Sequence, residues 1–368
     1  MKLIHCADLH LDSSMTSNLG REKAKERKSE LLLTFNRMIQ YAKEEDVSAI
    51  LIVGDLFDKK KVAKTALNTV WQAITENPQI EFYYIQGNHG VGGLLDGLED
   101  VPENLRQFGD TWTDYHIEDE AGNRIIINGI ELNEDNSARA YDSLVLNSES
   151  FNIVMLHGQE SEHKTKDKAE VINIRALRNK GIDYLALGHV HSYKEGTLDS
   201  RGIYCYSGCL EGRGFDECGE HGFVLLEIDA KAHKCSRTFI PIARRKIYAL
   251  DIDVSGCNTT MDAVKRIEKE LELNTYPDSS LMKFILTGEV NIECEIDTAF
   301  LQKQFENRFY FLKIYDETRP HVDYDAFALD VSLKGEFVRT VMNDEGLDES
   351  EKADIIRCGI QILAGGEV

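Results

Sequence analysis

The chain has 368 residues and a formal charge of −22, a length that suits one large domain and a smaller one. DNA-binding domains are usually basic, so this charge excludes a broadly basic nucleic-acid surface and leaves only local patches. Three basic runs, 21–28, 59–64 and 244–246, are candidates for such a patch. The alternative for each run is a solvated helix or loop face.

The cysteines and the apolar runs indicate the cellular compartment in which the protein is expected to lie. Eight cysteines are scattered without a C-x-x-C pair, which predicts free thiols in a reducing compartment rather than a disulfide framework or a structural zinc site. The first apolar run meets Asp8 too early for a signal peptide, and no run approaches the roughly 18 residues of a membrane span. We therefore expect a cytoplasmic protein.

The first part of the chain alternates between short apolar runs and helical patterns. Apolar runs at 2–7, 48–54 and 80–87 predict strands, and residues 24–45 and 64–75 have apolar residues at helical spacing. Continuous apolar strands that alternate with helices predict a sheet covered on both faces, and hence an α/β fold.

From Trp112 onward the pattern favours strands. A turn at 119–123 before the apolar run 124–130 predicts a hairpin, and further strands are predicted at 152–158, 183–191, 202–208 and 222–229. A helix is predicted at 169–181, ending at Gly181. We expect this first domain to span residues 1–241.

A second unit is predicted after Arg245. A strand–helix–strand–helix–strand pattern predicts a small α+β domain over residues 246–320, and residues 330–368 predict a tail with helices at 332–344 and 349–366. The second tail helix has an apolar stripe formed by Ala353, Ile356, Ile360 and Leu363. This stripe either packs on the protein's own small domain or binds a partner.

Polar side chains with the chemistry of metal ligands follow five of the predicted strands. In layered α/β folds, sites gather outside the carboxyl ends of the strands, so we expect these residues to converge. They are Asp8, His10, Asp55, Asp58, Asn88, His89, His157, His189 and His191.

The donor types indicate which metals would bind. Carboxylates, imidazoles and an amide oxygen, without a thiolate, suit Mn²⁺, Fe or Zn²⁺. Even seven of these nine residues are too many ligands for one catalytic ion with an open position, and they suit two ions about 3.5–4 Å apart that share a carboxylate. The composition of the cluster therefore predicts a two-metal site.

The motifs DLH, GDLFD, GNH, LHG and GHVH, in this order, resemble the signature of the calcineurin-like metallophosphoesterases. Within that superfamily, the N-terminal MKLIHCADLHLD and GDLFD are similar to SbcD-type DNA-repair exonucleases, including the YhaO-like branch. The stretch YSGCLEGRGFDECGEHGF (206–223) resembles the family's segment after the paired histidines. The resemblance implies a four-layer α/β-β-α sandwich with a small α+β capping domain and C-terminal helices.

The resemblance also implies roles for the clustered residues. One metal would be held by Asp8, His10 and His191, and the other by Asn88, His157 and His189, with Asp55 as the bridge. His89 would face the scissile phosphate, and Asp58 would orient its ring. The family usually has an acidic residue after G-N-H, whereas Gly90 stands here.

The resulting expectation is a dinuclear-metal phosphodiesterase, with Mn²⁺ as the expected ion. It would act as a DNA exonuclease or endonuclease in DNA repair or recombination. The expected partner is an SMC-like coiled-coil ATPase of the SbcC type, and a homodimer is a further expectation. Arg213 is a candidate DNA contact, and its alternative is a surface ion pair with Glu211 or Asp216. Alternative functions are a phosphoesterase for a small substrate or phosphoprotein, and a scaffold that keeps the metal without turnover.

Overall fold

The computed structural model divides the chain into two compact units, Met1–Lys246 and Ile247–Val368. The tail therefore belongs to the second unit. The residues that the structure describes are 1–15, 19–58, 62–87, 101–161, 171–291, 294, 296–321, 327 and 329–363.

The elements of the first unit follow in chain order. The strands are β1 (Lys2–Cys6), β2 (Ala49–Val53), β3 (Glu81–Ile85), β4 (Leu105–Gln107), β5 (Thr113–Glu118), β6 (Arg124–Gly129), β7 (Phe151–His157), β8 (Gln159–Ser161), β9 (Val171–Asn173), β10 (Tyr184–Gly188), β11 (Lys194–Thr197), β12 (Ile203–Tyr206), β13 (Gly222–Asp229) and β14 (Lys234–Pro241). The helices are α1 (Arg21–Glu44), α2 (Lys64–Thr75), α3 (Ser137–Ser143) and α4 (Ile174–Leu177).

Two large sheets form the core of the first unit, in the strand orders β14-β13-β1-β2-β3-β4 and β11-β12-β10-β7-β6-β5. Strands β1 to β4 are parallel to one another, as are β6, β7, β10 and β12. The register pairs Cys6 with Ile52, Val53 with Ile85 and His157 with Gly188. Neighbouring parallel strands therefore end at a common edge in each sheet.

The two sheets pack face to face, and helices cover their outer faces. Leu51 of β2 and Ile153 of β7 belong to one buried cluster between the sheets. Phe35 of α1 packs in the cluster on the outer face of the first sheet, and Leu177 of α4 in the cluster on the outer face of the second. The order of layers is helix, sheet, sheet, helix, which confirms the predicted four-layer α/β-β-α sandwich.

Local sequence pattern accounts for most of these elements. Strands β1, β2 and β3, helices α1 and α2 and the β5–β6 hairpin lie where the apolar periodicity predicts them. Helix α1 buries Leu31, Phe35, Met38 and Ala42, one apolar stripe at helical spacing. These predictions are confirmed.

The predicted helix at 169–181 is largely wrong. Residues 169 and 170 lie outside the described residues, Val171–Asn173 form β9, and α4 covers only Ile174–Leu177. The β-branched Val171 and Ile172 favour a strand, and the Asn173 side chain then caps the short helix by accepting a hydrogen bond from the Ala176 N–H. Gly181 has φ = +85° but lies beyond the helix end.

The second unit contains the predicted order of three strands and two helices. Its elements are β15 (Ile247–Asp253), α5 (Thr260–Leu273), β16 (Leu281–Thr287), β17 (Glu289–Asn291), α6 (Thr298–Phe305), β18 (Phe311–Asp316), β19 (Arg319–His321), α7 (Leu333–Met342) and α8 (Glu349–Leu363). Strands β15, β16 and β18 form a parallel sheet. The short pair β17–β19 is an addition that the sequence did not indicate.

The two tail helices lie close to their predicted positions. Ile356 and Ile360 of the predicted stripe are buried in a cluster with Phe327 and with Val338 and Val341 of α7. Most of the stripe is therefore covered by the chain itself, although Leu363 remains 42% exposed. Among the residues that the structure describes, no helix is both long and apolar enough to cross a membrane.

Candidate metal centre

The ends of β1, β2, β7 and β10 bring predicted ligands together. Two groups have potential ligand atoms within 4.8 Å of one another: Asp8 with His10 and His191, and Asp8 with Asp55 and His157. Asn88 and His89 follow β3 but lie outside the described residues, so their predicted roles stay predictions. Five of the seven predicted ligands are thus assembled from strand ends of both sheets.

In the first group, two imidazoles face each other. The Nε2 atoms of His10 and His191 are 3.4 Å apart, and Asp8 is fully buried beside them. Each Nδ1 contacts a carboxylate, Asp58 for His10 and Glu217 for His191. An imidazole that donates from Nδ1 has its lone pair on Nε2. With each Nδ1 donating to its carboxylate, the two Nε2 lone pairs would be directed at each other, in a position that a cation would stabilise.

The second group is built around His157. Its Nδ1 donates to the carbonyl of Val53 over 3.1 Å, which directs Nε2 toward Asp55 Oδ2, 3.4 Å away. Burial by itself lowers the pKa of His157, but the Asp55 and Asp8 carboxylates outweigh it and raise the pKa above its ordinary value. The site therefore has a negative potential that favours a cation.

His189 lies next to this group. Its ring is perpendicular to that of His157, with centroids 5.5 Å apart, and its backbone N–H donates to both oxygens of Asp8 at 3.0 and 2.9 Å. Asp8 thus contacts the β10 end and belongs to both groups, whereas Asp55 belongs to one of them. The family resemblance implied Asp55 for the shared position, and that bridging role stays a prediction.

The backbone is strained at the predicted ligands. Positive φ angles occur at Asp8 (52°), His10 (45°), Asp55 (45°) and His189 (101°). Non-glycine residues adopt this region uncommonly, and such strain is typical of functional sites that the surrounding structure holds in place. Four residues at three strand ends therefore direct their side chains at the expense of local backbone stability.

Two glycines make the close approach of these strand ends possible. A Cβ on Gly54, whose φ is +86°, would lie 1.9 Å from His157 Nδ1. A Cβ on Gly188 would lie 1.9 Å from the Val53 carbonyl oxygen. The glycines in GDLFD and GHVH are therefore required by the packing of the two sheet edges against each other.

Glu217 is a residue of the site that the sequence did not reveal. Its Oε1 is 2.6 Å from His191 Nδ1. Burial raises the pKa of Glu217, but His191 and Arg213 outweigh it and hold the pKa far below its usual range. In turn, burial lowers the pKa of His191, and Glu217 raises it above its ordinary value. No spacing in the sequence signals this contact, because 26 residues separate its partners.

The structure gives partners for Asp58 and Arg213. The Asp58 carboxylate contacts His10, and its predicted contact with His89 stays a prediction because His89 lies outside the described residues. The alternative given for Arg213, a surface ion pair with Glu211 or Asp216, is wrong, since Arg213 pairs with Glu217 at 2.9 Å. The Glu211 carboxylate is engaged elsewhere, by Arg27, Thr34 and the backbone N–H of Arg244.

Two of the three basic runs are at least partly neutralised by ion pairs. In the run 244–246, Arg244 and Arg245 both contact Glu30, and Lys246 contacts Glu220. In the run 21–28, Arg27 is buried with 1% exposure. Residues 59–61 lie outside the described part of the chain. Where the structure describes them, these runs provide less positive surface than their composition indicates.

The chemistry of the donor set fits divalent metal ions. The described groups contain two buried carboxylates and three imidazoles with no thiolate, donors that suit Mn²⁺, Fe or Zn²⁺. Both imidazoles of the first group are held through Nδ1 by carboxylates, an arrangement typical of metal-binding histidines. The site can therefore hold metal, and Asp8, His10, Asp55, His157 and His191 are its candidate ligands.

The chain is similar to curated metallophosphoesterases and DNA-repair proteins. It is 31% identical over 240 residues to "Uncharacterized metallophosphoesterase YhaO" of Bacillus subtilis, covering 62% of this chain and 57% of that protein. It is 24% identical over 254 residues to "DNA double-strand break repair protein Mre11" of Methanopyrus kandleri, covering 62% and 54%. The protein of the same name from Aeropyrum pernix is 23% identical over 287 residues, covering 72% and 66%. The chain thus spans between about half and two thirds of these relatives.

Two solved structures are also similar to part of the chain. The protein TT1561 of Thermus thermophilus has a TM-score of 0.41 and 14% identity, covering 65% of this chain and 98% of that one. A dimetal phosphatase from Danio rerio has a TM-score of 0.40 and 12% identity, covering 65% and 99%.

The family is established by sequence. The model of the family described as calcineurin-like phosphoesterase matches residues 1–193, more than half of the 368-residue chain. This match contains all of the strand ends that carry the predicted ligands. The chain belongs to the calcineurin-like phosphoesterase family.

Proposed function

We propose that the protein is a dinuclear-metal phosphodiesterase of the SbcD type that cleaves DNA as an exonuclease or endonuclease. The observation that carries this proposal is the pair of ligand groups that share the buried Asp8 at the edge of both sheets. Phosphodiester cleavage requires compensation of charge on the phosphoryl oxygens and an activated water. Two divalent ions would supply both.

The proposed metal ligands complete the two described groups. Asp8, His10 and His191 would hold one ion, and Asn88, His157 and His189 the other, with Asp55 between them. Mn²⁺ is the proposed ion, because hard oxygen donors combined with imidazoles suit it. The same donors also accept Fe and Zn²⁺, so metal identity is the first quantity to measure.

The chain's own side chains would manage the proton and the substrate. His89, which follows β3 in the sequence, would stand opposite the scissile phosphate and donate a proton to the leaving oxygen, a role for which an imidazole has a suitable pKa. Asp58 is the proposed support for its ring. Arg213, whose side chain is 22% exposed, lies at the edge of the site and is a proposed contact for a substrate phosphate.

DNA is the proposed substrate because of the relatives. Two of the similar proteins are named as DNA double-strand break repair proteins, and the match to one of them covers 72% of this chain. The second unit supports the same proposal, since a phosphoesterase for a small substrate has less use for an additional domain. Roles in DNA repair and recombination follow from this proposal.

The proposed partner is an SMC-like coiled-coil ATPase, which the tail helices α7 and α8 would bind. Ile355 and Ile362 of α8 are 38% and 55% exposed, which leaves apolar surface beside the buried stripe. A helix that presents apolar side chains can pack against another helix. A cytoplasmic location and a homodimer complete the proposal.

A second candidate function is a phosphoesterase for a small substrate, such as a cyclic nucleotide or a phosphoprotein. The charge of −22 and the ion pairs within the run 244–246 favour it, because a DNA-binding surface needs unpaired positive charge. The two candidates share one metal site and differ in substrate.

A nuclease assay with purified protein tests the proposal. With Mn²⁺ present, we expect degradation of linear DNA, and the comparison with closed circular DNA separates exonuclease from endonuclease activity. A variant with Asp8→Asn is the matched negative control. Hydrolysis of bis-p-nitrophenyl phosphate without cleavage of either DNA would favour the small-substrate function. Bound metal without turnover on any phosphodiester would indicate a scaffold.

A further inference from the structure

The segment between β12 and β13 returns to the metal centre. The Cys209 N–H donates to the His191 carbonyl over 3.1 Å, and the Gly222 N–H donates to the Cys209 carbonyl over 3.1 Å. The segment is therefore attached at the end of the strand that carries His191. These two hydrogen bonds hold residues 211–217 beside the ligand cluster, where their side chains can contact its histidines.

Glu217 is held on several sides within this segment. Its side chain is 6% exposed; Oε1 contacts His191 Nδ1 at 2.6 Å, and Oε2 accepts the Arg213 backbone N–H at 2.6 Å. The Glu217 carbonyl accepts a hydrogen bond from His221 Nε2 over 2.8 Å. Both carboxylate oxygens and the backbone are engaged, so the carboxylate has little freedom to move away from His191.

Arg213 connects Glu217 to the other side of the ligand cluster. Its Nε and Nη2 lie 3.2 and 2.9 Å from Glu217 Oε1, and its Nη1 lies 3.6 Å from Asp58 Oδ1. Asp58 in turn contacts His10 Nδ1. One guanidinium therefore joins the two carboxylates that contact the facing imidazoles of His10 and His191.

We propose that Glu217 is a positioning residue for His191, and that Arg213 couples it to Asp58 so that His10 and His191 are presented as a pair to one metal ion. Glu217 accepts the Nδ1 proton and thereby directs the lone pair of His191 Nε2 toward His10. Carboxylates in this position orient metal-binding histidines and increase their basicity. The inference rests on the proposed two-metal site and concerns one ion of the pair.

The alternative is that Glu217 only braces its loop. Both roles predict a loss of activity when Glu217 is removed, so activity cannot distinguish them. They differ in metal affinity, because a brace affects the stability of the metal-free protein, whereas a positioning residue affects one ion selectively. Binding of Co²⁺, followed by its visible absorption spectrum and by calorimetric titration, provides a readout of the ligand environment.

The test compares Glu217→Gln with Glu220→Gln, which changes an exposed glutamate of the same segment. In metal-free Glu217→Gln we expect a folded protein with only a modest loss of thermal stability, because the amide oxygen still accepts hydrogen bonds from Arg213 although the negative charge is lost. We expect one of two Co²⁺ ions to bind about 10–100-fold more weakly, with an altered absorption spectrum, and the other to bind as in wild type. Glu217→Ala should weaken the same ion further, and Glu220→Gln should match wild type.

Several outcomes would overturn the inference. Two Co²⁺ ions bound by Glu217→Gln with wild-type affinity would exclude positioning, and a large loss of stability in the metal-free variant would identify a brace. Arg213→Met should weaken the same ion to a smaller degree, so unchanged metal affinity in that variant would exclude the coupling to Asp58. If the wild-type chain binds no metal, the proposed function fails together with this inference, which the wild-type titration decides first.

Discussion

At the scale of single residues, the site depends on buried charge in a strained backbone. Asp8 and Asp55 are 0% and 3% exposed, and both have positive φ. Buried carboxylates are costly unless they are paired or bind a metal, so these turns are expected to become more stable when a cation binds. Metal binding and local stability are therefore linked at Asp8 and Asp55.

Asp8→Asn should remove both metals, because Asp8 belongs to both ligand groups and also holds the His189 backbone. Asp55→Ala should do the same if Asp55 is the bridge. Elemental analysis of dialysed protein measures the metal content per chain, and Asp46→Asn, an exposed residue with φ = 52°, is the matched control. Two tightly held metals in Asp8→Asn would contradict the shared role of Asp8.

His89→Ala should retain both metals and lose turnover. The residue is assigned to proton transfer to the leaving oxygen, a contribution of about 10²–10⁴-fold, so kcat on a phosphodiester with an alkoxide leaving group, such as a short oligonucleotide, should fall by that factor. His157→Ala should lose metal and activity together, since His157 is in the second ligand group. The assignment fails if His89→Ala has a near-normal kcat.

At the scale of elements, a buried ion-pair network joins α1 to the segment that carries Glu217. Arg27 on α1 contacts Glu30, Glu211 and the Gly212 carbonyl, and Arg245 contacts Glu30 from the end of the first unit. Arg27 and Arg245 belong to basic runs that the sequence analysis considered as a DNA-binding surface, and here they form ion pairs with glutamates. Part of the positive charge of the runs 21–28 and 244–246 is therefore buried inside the protein.

Arg27→Met should destabilise the first unit by about 3 kcal/mol, because removal of one partner from a buried ion pair leaves the other charges uncompensated. Arg37→Met, which changes an exposed arginine of the same helix, should alter the free energy of unfolding by less than about 0.5 kcal/mol. Urea denaturation of both variants gives the two values. Equal stabilities would show that the buried network contributes nothing.

At the scale of the whole molecule, the ligands and the second unit are separate parts of the chain. Every predicted ligand precedes residue 192, and both large sheets of the first unit lie within Met1–Lys246. We therefore expect chemistry on a small phosphodiester to require only the first unit. Binding of a long substrate or a partner is the function we assign to the remainder.

A chain that ends after Lys246 should fold and hydrolyse bis-p-nitrophenyl phosphate with a kcat within a few-fold of the full chain. Its DNA binding should be weaker than that of the full chain if the second unit contacts DNA, and binding of the full chain should fall steeply with added salt. Circular dichroism establishes folding, and turnover and DNA affinity are measured in parallel. A folded but inactive fragment would contradict the separation of chemistry from the second unit.

The sequence by itself predicted the central strands of both sheets, most of the helices and the five ligands that the structure groups together, because these follow local rules. Apolar periodicity within a window predicts β1 to β3, α1 and α2, and the carboxyl ends of parallel strands meet at one edge, so DLH, GDLFD, LHG and GHVH predict a common site. At Val171–Asn173 the helical periodicity predicted a helix, but these residues form a strand. The local prediction failed there because the β-branched residues favour a strand.

Only the tertiary structure decided which charged groups meet. Glu217 contacts His191, Asp58 contacts His10, and Arg27 is buried against Glu211. Each of these pairs joins segments that are distant in the chain, and no periodicity or motif encodes such a contact. The packing of loops brings the two members of each pair together. Because a buried charge requires a partner, this packing determines which basic residues remain at the surface. It also determines which histidines are oriented toward a metal.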